Sequence, residues 1–235
     1  RVELYKGIVP YRFGGTAMGG AVNVVLKDYP PRYLDASYEV GSYNTHRANS
    51  VFKRSFADLG LELGLGGLFV ASDNDYEMTL HNQNDLRVRR GNDAFRKAVL
   101  GGSIKETKWW FDELKSEFIL TSTRQGIQGI DWDYRSAHNH ASSFLVSLEA
   151  KRKDFFVSGL NFDFATAYNI GRYGLCDTAR VRHAWDGRTY PTLSPLGGET
   201  GPFASDGHHR SHDWIGKLNL EYTLRPDHAL NLNLY

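Results

Sequence analysis

From Leu34 onward the chain alternates between apolar and polar positions. Leu34, Ala36, Tyr38 and Val40 fall on one side of an extended segment, and Asp35, Ser37 and Glu39 on the other. Trp214, Gly216, Leu218, Leu220, Tyr222 and Leu224 form an apolar side opposite Asp213, Lys217, Asn219, Glu221 and Thr223, with Ile215 the one exception. The same period runs through Phe144, Val146, Leu148 and Ala150, and through Phe156, Leu160, Phe162 and Phe164; Leu230, Leu232 and Leu234 begin another run. A two-residue period held for about ten residues predicts strands long enough for a tilted membrane crossing. Strands are expected near 33–42, 46–56, 59–72, 94–106, 110–122, 141–151, 155–168, 212–225 and from 229 onward.

The connectors carry a second pattern. Ala57-Asp58, Glu106 to Trp109, Arg152 to Asp154 and Pro226-Asp227 are short, whereas Asp73 to Asp93, Thr123 to His140 and Asn169 to Ser211 are long. The exception on the long side is Tyr43 to Thr45. Alternating short and long connectors distinguish the inner and outer ends of a membrane barrel. The predicted class is therefore all-β, a transmembrane antiparallel β-barrel. Its lumen side would carry Asp35, Glu39, Lys115, Glu117, Asp163, Lys217 and Glu221. A barrel must close to remove its edges, so a ninth strand at the end of the chain implies further strands beyond it.

The first segment reads differently. Gly14, Gly15, Gly19 and Gly20 crowd the stretch before Ala21 to Leu26, a short run typical of a covered strand, and Pro30-Pro31 stiffen the link to the alternating region. The expected division is 1–28, a linker at 29–32, and the barrel segment 33–235. The run Val2-Glu3-Leu4-Tyr5-Lys6-Gly7-Ile8-Val9-Pro10, then Arg12-Phe13-Gly14-Gly15, then Gly19-Gly20-Ala21-Val22-Asn23-Val24-Val25, resembles the C-terminal end of the plug domain in TonB-dependent outer-membrane receptors. Asp177-Thr178 to Arg182 and Trp185-Asp186-Gly187 also resemble a loop segment of some members.

The resemblance implies a barrel of about twenty-two strands, closed by an N-terminal plug. It implies localisation in the bacterial outer membrane and active import of a scarce, bulky nutrient: a ferric siderophore, haem, cobalamin or an oligosaccharide. The implied partners are TonB, reached through a segment N-terminal to this sequence, outer-membrane lipid and lipopolysaccharide, and the nutrient, with a surface lipoprotein left open. Arg12 is the implied plug–barrel contact. The alternatives are a passive porin or a surface-binding adhesin barrel, which need no glycine-rich covered strand, and a soluble all-β module, which would bury Leu218 and Leu220 under a second sheet.

Composition narrows the choice further. A formal charge of +1 argues against nucleic acid as a partner. Hydrophobic residues make up 41% and aromatics 13%, and the mean hydropathy is −0.46, which suits half-apolar strands. The lone Cys176 excludes an internal disulfide. The chain opens on Arg1 with no signal peptide, as expected for an envelope protein whose N-terminus has been removed. No nucleophile elbow or ordered triad appears, so no enzyme activity is expected, nor any resident cofactor or metal.

The candidate substrate-binding residues are loop aromatics and histidines: Trp132, Tyr134, Trp185, Tyr190, His208 and His209. Rings of this kind stack on sugars, catechols or porphyrins, or anchor loops. His208-His209 with His212, and His138 with His140, could bind a metal or a haem edge, and Asp131, Asp133, Asp177 and Asp186 a calcium ion. Arg87, Arg89, Arg90, Arg96 and Lys97 form a basic run suited to an anionic ligand, to lipopolysaccharide phosphate or simply to water.

Overall fold

The computed structural model describes residues 2–6, 20–24, 29–225 and 228–234. Its strands, in chain order, are β1 (Val2–Lys6), β2 (Gly20–Val24), β3 (Arg32–Gly41), β4 (Thr45–Phe56), β5 (Leu61–Ser72), β6 (Glu77–Leu80), β7 (Leu86–Arg89), β8 (Phe95–Glu106), β9 (Glu113–Gly126), β10 (His138–Arg152), β11 (Leu160–Asp177), β12 (Val181–His183), β13 (Thr189–Pro191), β14 (Ser205–Arg225) and β15 (His228–Leu234). Helical structure among the described residues is one 3-10 turn, His81–Gln83.

Nine strands form one antiparallel sheet in the order β15-β14-β11-β10-β9-β8-β5-β4-β3. Every long strand pairs with the next long strand, so the sheet is a continuous meander. The pairs β6–β7 and β12–β13 are small separate ladders inside long connectors, and β1 pairs with β2, Val2 opposite Val24. Arg12 and most of the glycine-rich stretch lie outside the described residues.

The register keeps the two kinds of side chain apart. Leu34 lies opposite Phe52, Phe52 opposite Leu65 and Leu65 opposite Gly102; the row continues through Phe118, Val146, Tyr168 and Trp214. One residue along each strand, the other face presents Lys53, Ser103, Glu117 and Ser147. All seven residues assigned from sequence to the polar face lie on it. Ion pairs tie it together: Lys53–Glu62 at 3.1 Å, Lys105–Glu113 at 2.9 Å, Lys151–Glu113 at 2.8 Å and Lys115–Glu117 at 2.8 Å.

The apolar face is the bare one. Leu34 is 75% exposed, Trp214 73%, Ile104 55% and Leu65 50%. Among the described residues the buried hydrophobic side chains are Leu80, Val88, Ala137 and Ala150, of which only Ala150 belongs to the large sheet. Leu218 and Leu220 are half-buried beside their ladder neighbours Phe164 and Phe162, with no second described sheet above them.

The strand ends depart from the sequence expectation in two consistent ways. At the short-connector end, β5, β9 and β11 begin at Leu61, Glu113 and Leu160, not at 59, 110 and 155. The apolar residues there belong to turns. Phe156 sits at φ 60° between Asp154 at φ 52° and Gly159 at φ 84°, so it does not continue the alternation of Leu160, Phe162 and Phe164. Its ring joins a cluster in which Trp110 lies 5.4 Å from Phe155 and Phe155 lies 4.5 Å from Phe162. At the opposite end β9, β10, β11 and β14 run past the expected limits of 122, 141, 168 and 212, to Gly126, His138, Asp177 and Ser205. These extensions carry polar residues on both faces, so periodicity cannot reveal them, while the ladder hydrogen bonds continue. The tight connector at Ser42–Thr45 is a two-residue turn with Tyr43 at φ 59° and Asn44 at φ 53°, the handedness that matches strand twist.

Candidate functional site: a loop cluster at one end of the sheet

The meander puts the three long connectors, 73–94, 127–137 and 178–204, at the same end of the sheet. They are bonded to each other. Gln128 Oε1 accepts from the amides of Gly91 (2.9 Å) and Asn92 (2.8 Å). Asn92 Nδ2 donates to the Ala137 carbonyl at 2.8 Å, and Asn82 Nδ2 to Asp131 Oδ1 at 3.1 Å. Between the second and third connectors, the Asp133 amide donates to the His183 carbonyl at 2.9 Å.

A carboxylate relay forms the deepest part. Asp177, at the end of β11, is 0% exposed and accepts from the Glu199 amide at 2.8 Å, the Thr200 amide at 2.8 Å and Thr200 Oγ1 at 2.5 Å. Glu199, 2% exposed, reaches across to the second connector. Its Oε1 accepts from the amides of Ser136 and Ala137 at 2.7 Å each, from Ser136 Oγ at 2.9 Å and from the Arg135 amide at 3.1 Å. Two buried charges are tolerable only because every one of these donors points at them. The sequence held one signal for this: Gly197-Gly198 ahead of Glu199. Both glycines take positive φ, 103° and 104°, and a Cβ on Gly198 would lie 2.6 Å from the Phe203 carbonyl oxygen.

Of the four predicted aromatics, Trp132 and Tyr190 share a ring contact, while Trp185 and Tyr134 are held by neighbours in the second connector. Trp132 meets Tyr190 edge-to-face at 5.4 Å, and the Arg182 guanidinium lies 3.9 Å from the Trp132 ring centroid. Trp185 Nε1 donates to the Ile130 carbonyl at 2.8 Å. The Tyr134 ring packs on Gly129, and burial pushes its phenol above the ordinary tyrosine value. Arg188 is fixed to Asp186 beside the β12–β13 ladder, its Nε 2.7 Å from Oδ2, and its hydrogen bonds hold the Asp186 carboxyl below the ordinary value. These contacts tie the second and third connectors together through Arg182, Trp132, Tyr190 and Trp185.

The remaining candidates are dispersed. His208 and His209 are consecutive on β14 and point to opposite faces, His208 near His140 (5.7 Å between rings) and His209 opposite Tyr173. They do not share a site. Asp131, Asp133, Asp177 and Asp186 are engaged separately by Asn82, Arg135, Thr200 and Arg188. In the basic run, Arg89 pairs with Asp75 and Arg90 with Asp93 at 2.9 Å, while Arg96 stands exposed on β8. Comparison with protein-family models, with curated proteins and with solved structures finds no match for this chain.

Proposed function

We propose that the nine-stranded sheet is part of the wall of a bacterial outer-membrane β-barrel, and that the barrel is an active, TonB-dependent importer of a bulky nutrient. The observation that carries the membrane part is the bare apolar face. A water-soluble sheet buries its apolar side and exposes its polar side. Here Leu34, Leu65, Ile104 and Trp214 lie open while the opposite face carries the ion pairs. Lipid supplies the missing covering. An open sheet edge is not tolerated in lipid, so this reading requires further strands to close the barrel between β3 and β15.

Active transport is supported by the segment before β3. Its sequence resembles the end of a TonB-dependent plug, and its two described strands pair with each other. A lumen wall of paired charges suits a hydrated, removable plug, because such an interface exchanges protein hydrogen bonds for water at little net cost. The aromatic surface of Trp132, Tyr190 and Trp185 is the proposed outer binding site, and it favours cargo with rings or sugar faces.

The test is growth of a deletion strain, complemented with the full-length gene, on single sources of iron, haem, cobalamin or glycan. The expected result is a defect on one source, rescued by the wild-type gene and lost when TonB is removed. A Trp132→Ala gene should need roughly tenfold more of that nutrient, about 1.4 kcal/mol of lost ring contact. Growth indifferent to TonB on every source would overturn active import and favour a passive pore or an adhesin.

A further inference from the structure

The apolar face does not stay apolar along its whole height. Just before the loop cluster it meets a belt of cations. Arg96 on β8 lies directly opposite Arg124 on β9, and Arg172 on β11 directly opposite Arg210 on β14. The register puts all four on the same face as Leu65 and Phe118. His140, opposite Arg124, and His208 sit in the same belt. Like charges directly opposed on neighbouring strands destabilise a sheet. All four arginines are exposed, and none makes a hydrogen bond or ion pair with another described residue. The nearest acid in register is Asp206, which lies 3.4 Å from His208. Among the described residues the belt has positive charge in excess and no anion paired with its arginines.

Two clefts adjoin the belt. One is bordered by Arg96, Arg124, Arg135 and His138. Arg135 is already paired with Asp133 at 2.7 Å, which leaves Arg96 and Arg124 as its unanswered charges. The other runs across β8, β9, β10 and β11, between the row Ala98, Ser122, Ser142 and Arg172 and the next row toward mid-sheet, Leu100, Leu120, Phe144 and Ile170. A cationic cleft above an apolar groove matches a ligand with an anionic head and hydrocarbon chains.

We infer that this belt binds a phosphorylated glycolipid of the outer leaflet, its phosphates on the arginine pairs and an acyl chain along the Leu100–Leu120–Phe144–Ile170 groove. Arginine suits the role because its planar fork gives bidentate, charge-assisted bonds to phosphate. The inference rests on the apolar face being lipid-facing. It gives that face a top and a specific lipid, where the membrane reading alone needs only hydrocarbon.

The test uses the full-length protein in detergent micelles, supplied with a hexaacylated, bis-phosphorylated glucosamine disaccharide, with bound lipid counted by native mass spectrometry. The wild type should retain this lipid and not its dephosphorylated form. The Arg96→Gln/Arg124→Gln/Arg172→Gln/Arg210→Gln variant should retain about tenfold less, the loss expected when charge-assisted phosphate bonds are removed. A Lys97→Gln/Lys217→Gln variant on the opposite face should match the wild type. If the fourfold variant does not fold, Arg172→Gln and Arg96→Gln are read singly, each with a smaller loss. Equal retention by wild type and arginine variants overturns the site, as does full displacement of the lipid by inorganic phosphate, which would make the belt a simple anion site. Insertion of the wild type into phosphatidylcholine vesicles that lack the glycolipid separates the two failures. A chain that inserts but shows no arginine-dependent retention loses this site alone, and one that does not insert loses the membrane reading itself.

Discussion

Leu65→Arg is expected to destabilise the protein by about 2–4 kcal/mol, although half of the Leu65 side chain stands open. Leu65 lies near the middle of β5, is 50% exposed and has Phe52 and Gly102 as ladder neighbours. In water, an exposed leucine on a sheet can become arginine within about half a kcal/mol, because the long side chain keeps its charge solvated. In a bilayer the guanidinium would sit at mid-depth with nowhere to snorkel. The expected readout is a fall in heat-resistant folded barrel in outer-membrane fractions and a lower denaturant midpoint in vesicles. Leu220→Arg should cost less, about 0–1 kcal/mol, because Leu220 shares its row with Phe162 and Arg152 at the short-connector end of the sheet, where a bilayer would be near its surface. Ser147→Arg, on the polar face, serves as control. Equal stability of Leu65→Arg and wild type would remove the lipid from the account.

The second large effect belongs to the loops. Glu199→Ala deletes the one acceptor shared by the amides of Arg135, Ser136 and Ala137. Those N–H groups sit against a buried site, and an unsatisfied buried donor costs about 1–3 kcal/mol. Some of this is recovered when water enters, so the net expectation is about 3 kcal/mol of local opening. That is roughly a hundredfold faster amide exchange at residues 135–137, with the strands of the sheet unchanged. Glu199→Gln keeps one acceptor oxygen but aims an NH2 at the Arg135 amide, and should fall between. If the clamp positions Trp132 through its own connector, nutrient binding should weaken in the same order. Unchanged exchange at 135–137 in Glu199→Ala would show that the relay does not hold the loops.

The strands were legible in the sequence because period 2 is the signature of a sheet with two different faces. Leu34 to Val40 and Trp214 to Leu224 gave both the strand and the side. The rule fails where one of its conditions lapses. Phe155, Phe156 and Trp110 are apolar for turn packing, so periodicity assigns them to strands they do not join. The upper part of β14, from Ser205 to Ser211, has no apolar face and reads as loop, although its ladder with β11 is unbroken. The short connector at Tyr43 to Thr45 was legible between two alternating runs, and only its turn type, with Tyr43 and Asn44 at positive φ, was not.

The candidate site was legible by residue type and obscure by contact. Aromatic identity pointed to Trp132, Tyr134, Trp185 and Tyr190, and the fold brings the rings of Trp132 and Tyr190 into contact. Adjacency suggested a joint role for His208 and His209, and the same two-residue period that located the strand sends them to opposite faces. The partners of Glu199 were invisible because they lie more than sixty residues earlier in the chain, and spacing carries no information about such contacts. The arginine belt needed the register: Arg96, Arg124, Arg172 and Arg210 form no cluster in sequence and one belt in the sheet.

The most direct test of the central claim is a spin-label scan of β14 from Trp214 to Tyr222, with Cys176 replaced by serine, in the full-length protein reconstituted in lipid vesicles. Collision with oxygen, which partitions into lipid, should peak at Trp214, Gly216, Leu218, Leu220 and Tyr222. Collision with a water-soluble nickel chelate should peak at Ile215, Lys217, Asn219 and Glu221, in opposite phase. Profiles without alternation, or with the nickel chelate reaching Leu218 and Leu220 as readily as Lys217, would contradict a lipid-facing sheet.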